Sequence, residues 1–277
     1  MLVKRDPLQH YSLRDRVAII TGAAGLLGTD YCHTLASVGA HIVVADIDHQ
    51  RSAQLANEVT EMNEIDALAI KVDVSDPDSV RAMVAETVDR FGRVDILVNN
   101  AAIDPKFDTE HANEHSNRFE EFPFQAWKQA LDVNITGMFL CAQAVSRPML
   151  EADRGVMVNI SSIYGLVGPD QRLYKREGQP SQFKPVSYSV SKAAVLGLTR
   201  YLATYFARTG IRVNTLTPGG VLAGHDDEFV RRYSTHTVIG RMAKREEISN
   251  ALLYLVSDAS SYMTGANLVV DGGWTAW

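Results

Sequence analysis

Tyr188 and Lys192 stand four residues apart, and two serines, Ser161 and Ser162, precede them after Asn159-Ile160. On a helix that spacing puts a phenol and an ammonium on one face, one turn from each other. A free phenol titrates near ~10 and is a poor proton shuttle at neutral pH. A neighbouring ammonium favours the phenolate, so a lowered tyrosine pKa and general acid/base chemistry are expected of the pair. Tyr-x-x-x-Lys also arises on ordinary amphipathic helices. The elements that position the pair therefore decide what it is.

Short β-branched runs at 17–20, 41–45, 67–72, 94–98, 156–160, 211–216 and 267–270 read as buried strands. Helical patterns lie between them, near 26–38, 49–63, 77–91, 124–150, 185–208 and 246–257. Continuous apolar strands separated by helices predict a parallel sheet covered on both faces, an α/β fold. No linker, repeat or composition break divides the chain, which predicts one domain over 1–277. Two connections, about 103–122 and 165–184, are long for a compact domain and follow strand C-termini, where α/β sheets bind ligands. They are expected to wall a substrate pocket.

The 277 residues are 46% hydrophobic with a formal net charge of −6, which argues against nucleic acid or an anionic membrane as the main partner. No apolar run approaches the ~20 residues that span a bilayer. The first residues lack the apolar block of a signal peptide, so a cytoplasmic protein is expected. Cys32 and Cys141 fall in helical segments and read as buried reduced thiols. His111 and His115, beside Asp108, Glu110 and Glu114, invite a metal reading, but no second cluster completes it, and a polar surface loop is the expectation.

After the first strand comes Thr21-Gly22-Ala23-Ala24-Gly25-Leu26-Leu27-Gly28, running into a helix. Glycines there allow a tight turn, close approach of backbone to a pyrophosphate, and close helix-on-sheet packing. Asp46 closes the second strand 18 residues after Gly28, with Ile47 next to it. A carboxylate there accepts hydrogen bonds from both adenosine ribose hydroxyls and repels a 2′-phosphate, so NAD is the expected cofactor. Arg51 lies close enough in sequence to offer a phosphate partner instead.

With these motifs in order, the chain resembles the short-chain dehydrogenase/reductase family over essentially its whole length. The matching residues are Thr21-Gly22…Gly28, Asp73-Val74, Asn99-Asn100-Ala101-Ala102, Asn134, Ser162, Tyr188…Lys192, Pro218-Gly219 and Asp271-Gly272-Gly273. The resemblance implies a Rossmann-type, doubly wound parallel sheet of seven strands in the order 3-2-1-4-5-6-7. It implies that Asp73 and Val74 border the adenine, that Asn99, Asn100, Ala101 and Ala102 line the cofactor cleft, and that Pro218, Gly219 and Val221 lie near the nicotinamide. It also implies hydride transfer between NAD(H) and a secondary alcohol or ketone, with Tyr188 as general acid/base. Lys192 would tune Tyr188 and hold the nicotinamide ribose. Ser162 would bond the reacting oxygen, Ser161 would bond backbone, and Asn134 would position a water beside Lys192. A homodimer or homotetramer through the long helices and the C-terminal strand is the family's usual assembly, and the apolar, aromatic end from Val269 to Trp277 suggests burial against a neighbouring subunit.

The chain departs from the family pattern in four places. The glycines read TGxxGxxG, a spacing more typical of the sugar-nucleotide branch; Asn-Asn-Ala-Ala replaces NNAG; no threonine follows Pro218-Gly219; and Ser162 and Tyr188 are 26 residues apart, about a dozen more than usual. The inserted stretch carries Arg172, Lys175 and Arg176, any of which would suit an anionic or polyhydroxylated substrate such as a sugar, sugar phosphate, sugar acid or polyol. A weaker resemblance, through Ile163-Tyr164-Gly165 and Pro169-Asp170-Gln171-Arg172, is to oxidoreductases of bacterial surface-sugar and flagellin-modification pathways. A 3-oxoacyl-thioester reductase is the alternative, opposed by Asp46 because such enzymes usually prefer NADPH. A non-catalytic dinucleotide sensor is the third reading, opposed by the intact Asn134, Ser162, Tyr188 and Lys192.

Overall fold

Seven parallel strands form one sheet: β1 (Val17–Thr21), β2 (His41–Asp46), β3 (Ala67–Lys71), β4 (Ile96–Asn99), β5 (Gly155–Ile160), β6 (Ile211–Pro218) and β7 (Asn267–Val270). The order is β3-β2-β1-β4-β5-β6-β7, as the sequence resemblance implied. The computed structural model describes residues 6–104, 117–175 and 182–277. Because β1, β4 and β5 are buried at every position, their side chains feed two apolar layers. Ala18, Ile20, Ile42 and Val44 pack on one face; Val17, Ile19, Val43 and Leu97 pack on the other. Alternating residues point to opposite faces, so two-sided burial demands the unbroken apolar runs seen in the sequence.

Helices cover both faces: α1 (Leu26–Ala36), α2 (His49–Met62), α3 (Pro77–Phe91), α4 (Phe124–Leu131), α5 (Gly137–Glu151), α6 (Val186–Tyr205), α7 (Asp227–Ser234) and α8 (Arg245–Val256). Their ends are written locally. Asp76 caps α3 by accepting from the Asp78 N–H, Pro77 opens it, and Gly92 at φ +74° closes it. Asp226 caps α7, which carries acidic residues in its first turn and Arg231 and Arg232 in its last, as expected for its dipole.

The helix expected over 124–150 runs unbroken but is not α-helical throughout. A π-helical turn, Asp132–Thr136, separates α4 from α5 and turns Asn134 fully inward. One extra residue per turn rotates the following helix and marks a site where a side chain competes for backbone partners. The 165–184 connection also differs from a plain loop. A 3-10 turn, Gln171–Tyr174, buries Leu173 and Tyr174 in a third apolar cluster with Ile163, Tyr164, Tyr233, Met242 and Trp274. Trp274 stacks between Tyr233 and His236, at ring distances of 4.4 and 5.0 Å, so its own chain buries it without a neighbouring subunit. Cys32 and Cys141 are free and buried. No helix among the described residues is long and apolar enough to cross a membrane. The cluster of Asp108, Glu110, His111, Glu114 and His115, and Arg176, lie outside the described residues.

Candidate active site

The strand order reverses between β1 and β4, and a cleft of about 740 Å³ opens at the C-terminal ends of the strands there. Gly22, Gly25, Leu26 and Leu27 form its first wall. Gly22 has φ +62°, and a Cβ on it would come within 2.7 Å of the Ala101 Cα. Gly28 sits behind the wall, where a Cβ would meet the Gly22 carbonyl oxygen at 2.3 Å. Only glycine lets α1 approach β1 this closely. No side chain caps the start of α1 at Gly25, which leaves the first-turn N–H groups to an anion. These features fit a pyrophosphate.

Asp46 and Ile47 line the next part of the cleft. The Asp46 carboxylate accepts from the Ala24 N–H at 3.0 Å and the Asp48 N–H at 3.1 Å, which fixes it beside the glycine turn. Arg51 is not in the lining; its N–H donates to the Asp48 side chain that caps α2. Asp73, Val74 and Ser75 follow, with the Asp73 carboxylate turned back onto the Ser75 N–H and hydroxyl. Asn100, Ala101 and Ala102 complete this side. Asn100 locks the turn by donating to the carbonyls of Thr21 and Gly22, both at 3.0 Å. Asn99 does not line the cleft: it is buried beneath, donating to Asn159 at 2.9 Å, because residue alternation points it into the sheet's polar seam.

Pro218 reaches the cleft, whereas Gly219 and Val221 do not. Gly219 donates its N–H to Val270 and packs on Asp271, and Val221 bridges to Ala243, so the chain folds away from the cleft as β6 ends. The Asp271 carboxylate accepts from Gly273 and Thr275, bracing the same corner.

Tyr188 and Lys192 meet at the inner end, on the first turns of α6. Lys192 is 3% exposed and donates from Nζ to the Ile160 carbonyl at 2.9 Å. Ser162 is near enough to the Tyr188 phenol to favour its ionised form, and the Lys192 Nζ lies 5.8 Å from the Tyr188 ring centre. Ser161 borders the cleft, but its hydroxyl donates to the Lys192 carbonyl at 2.7 Å. The Ser162 hydroxyl accepts from the Tyr164 N–H at 3.2 Å, and of the two serines it is the one that bears on the phenol. Asn134 is clasped rather than exposed to the cleft. Its Oδ1 accepts from the Ile103 N–H at 2.7 Å, and its Nδ2 donates to the Ile103 carbonyl and to Ser191, both at 3.1 Å.

The electrostatics correct one expectation. In this arrangement burial pushes the Tyr188 phenol up, with Asp104 adding to the rise and Ser162 opposing it. Burial pulls the Lys192 ammonium down, to about 8. Desolvation outweighs the mutual benefit of phenolate and ammonium because both groups sit in the same enclosed corner.

Of the inserted cations, neither Arg172 nor Lys175 lines the cleft. Arg172 is 83% exposed and held by a bidentate contact with Asp170, which His236 also bonds at 3.0 Å. The Lys175 carbonyl accepts from Arg232. A different cation stands against the lining instead. Lys184 pairs with Asp104, a residue of the cleft lining, and its Nζ lies 4.2 Å from the Tyr188 ring centre. Sequence reasoning missed both. The one signal was proximity: Lys184 stands four residues before Tyr188, though outside α6. Asp104, 80 residues away, had none.

With this geometry in view, comparison with known proteins is decisive for the family. Residues 22–275 match the family model described as Enoyl-(Acyl carrier protein) reductase. The chain is 36% identical over 267 residues to the cis-4-hydroxycyclohexanecarboxylate dehydrogenase of Sinomonas cyclohexanicum, covering 95% of this chain and 97% of the relative. It is 36% identical over 261 residues to a 3-alpha-(or 20-beta)-hydroxysteroid dehydrogenase of Mycobacterium bovis, covering 94% and 90%. The crystal structure of a Burkholderia cenocepacia gluconate 5-dehydrogenase, in complex with NADP and tartrate, superposes with a TM-score of 0.85 at 30% identity, covering 98% of this chain and all of that one. The protein belongs to the short-chain dehydrogenase/reductase family: it is an oxidoreductase of hydroxyl groups, of a family that uses a nicotinamide dinucleotide.

Proposed function

We propose that the chain, as one dinucleotide-binding unit over 1–277, is an NAD(H)-dependent oxidoreductase that interconverts a secondary alcohol and a ketone with Tyr188 as general acid/base. The observation that carries this reading is Tyr188 at the inner end of the cleft with Lys192 one helical turn beyond, both in the cleft lining. A phenol that stays protonated at neutral pH suits proton delivery to a developing alkoxide; Ser162 donates to the same oxygen. Lys192 holds the nicotinamide ribose and stabilises the phenolate left behind. Asn134 keeps the Ile103 backbone against this corner; its side chain is fully engaged there, so its part is to position rather than to hold a water. When bound, the nicotinamide supplies or accepts the hydride.

Gly22, Gly25, Leu26 and Leu27 take the pyrophosphate in this reading, and Gly28 lets α1 come close. Asp46 and Ile47 take the adenosine ribose; Asp73 and Val74 border the adenine. Asn100, Ala101 and Ala102 form the opposite wall, and Pro218 flanks the nicotinamide, with Gly219 and Val221 supporting it from behind. The fixed, anionic Asp46, with no arginine among the described lining residues, supports NAD over NADP. The gluconate dehydrogenase likeness supports a sugar, sugar acid or polyol as substrate, and the two relatives support an alcohol borne on a ring. A 3-oxoacyl-thioester reductase is the second reading, supported by 31% identity over 260 residues to a 3-oxoacyl-[acyl-carrier-protein] reductase of Staphylococcus aureus. Exposed Phe139, Tyr201 and Tyr205 on α5 and α6 support a homodimer or homotetramer of a cytoplasmic enzyme.

Tyr188→Phe should abolish turnover while NADH binding, followed by fluorescence, stays near that of wild type. Turnover within a factor of two of wild type would sink the assignment. Screening sugars, polyols, cyclic alcohols and acyl thioesters separates the two substrate readings; activity confined to thioesters selects the second.

A further inference from the structure

The charge beside the phenol is placed against its local electrostatics. Lys184 lies two residues before α6, where the positive end of the helix dipole opposes a cation. Its side chain is only 10% exposed. It is nonetheless held firmly: the Lys184 N–H donates to Gln171 Oε1 at 2.8 Å, the Gln171 amide returns a longer bond to the Lys184 carbonyl at 3.5 Å, and Pro185 stiffens the entry into α6. Gln171 belongs to the inserted 3-10 turn, itself anchored by Leu173 and Tyr174 in the aromatic cluster. The insertion therefore aims an ammonium over the face of Tyr188, 4.2 Å from the ring centre, with the Tyr164 ring at 6.0 Å.

Its counter-ion is the asymmetric partner. Asp104 is 46% exposed on the rim of the cleft. An enclosed, fixed cation paired with a carboxylate that water already reaches can exchange that carboxylate cheaply. The incoming anion replaces one ion pair with another, and the released one is easily hydrated.

We propose that Lys184 is a substrate-recognition residue that binds an anionic substituent, a carboxylate, of a hydroxy acid or oxo acid, and that Asp104 is the internal carboxylate it holds until that substrate arrives. Because the ammonium and the phenol are in contact, only a few carbon atoms separate the carboxylate from the reacting carbon. This deepens the oxidoreductase reading of the same site and rests on it for the identity of the reacting group.

The test is calorimetry on the NADH-loaded protein with butanoate, hexanoate and cyclohexanecarboxylate against their uncharged amides. Wild type should prefer the acids, and Lys184→Met should cut that preference by about 10- to 100-fold, the worth of a hydrogen bond to a charged group. Lys184→Arg should restore most of it. Asp104→Asn should tighten the acids by about two- to fivefold, the worth of a half-exposed ion pair. Lack of any acid preference in wild type overturns the proposal, as does one that Lys184→Met leaves intact. Should Lys184→Met fold poorly, the Asp104→Asn arm decides alone: acids bound no tighter overturn the proposal. Calorimetry needs no turnover, so the two readings fail separately. Acid binding through Lys184 without reduction of any ketone would sink the oxidoreductase reading, and ketone reduction indifferent to charge would sink this one.

Discussion

Replacing Asp46 by asparagine tests the cofactor reading most directly. The carboxylate accepts from the Ala24 and Asp48 N–H groups, so its position is set before any ligand enters. For NADH it contributes hydrogen bonds from a charged acceptor, worth ~1.5–3 kcal/mol, so its neutralisation should weaken NADH by about 10- to 100-fold. For NADPH the sign is opposite. Two unit charges about 5 Å apart at an effective dielectric of about 20 repel by roughly 3 kcal/mol. Screening at the partly open cleft reduces this, and relief of even half of it tightens NADPH by about tenfold. The NADH-over-NADPH preference should thus fall by two orders of magnitude or more. Fluorescence titration of both cofactors reads the two dissociation constants. Repeating the NADPH titration at higher salt should narrow the gap between wild type and variant, because only the repulsive part is screened. The asparagine keeps one backbone acceptor, and a melting curve checks that the turn survives. A preference that shifts by less than about threefold, or a wild type that favours NADPH, would refute the reasoning.

Other outcomes follow from the same corner of the fold. Asp104 raises the phenol, so Asp104→Asn removes a negative charge, makes the phenolate less unfavourable, and lowers the Tyr188 pKa. The rising limb of alcohol oxidation against pH should move to lower pH, and a shift to higher pH would show the sign to be wrong. Gly28→Ala places a methyl 2.3 Å from the Gly22 oxygen, which forces α1 off β1. NADH affinity should drop tenfold or more by fluorescence, with a lower Tm; unchanged affinity would mean that the close approach is not needed. Lys192→Met removes the ammonium near the phenol, and both turnover and NADH affinity should fall, whereas a loss of turnover alone would deny it a ribose contact.

Much of the fold and part of the site are legible in the chain itself. The apolar strand runs, the caps at Asp76, Pro77 and Gly92, and the glycine turn are local signals, because two-sided burial and helix termini impose rules on neighbouring residues. Tyr188 and Lys192 are legible for the same reason: a four-residue interval is a distance along a helix. The tertiary structure alone decided the rest. Asn134 looked like part of one long helix, and only its clasp on Ile103 explains the π turn. Arg172 looked free to meet a substrate until Asp170 was found holding it. The phenol and ammonium lie where desolvation outweighs their attraction, a balance set by enclosure rather than by spacing. Asp104 and Lys184 meet across 80 residues because the β4 connection and the insertion converge on one rim. Sequence spacing fixes what lies on one element; which charges face each other between elements depends on how those elements pack.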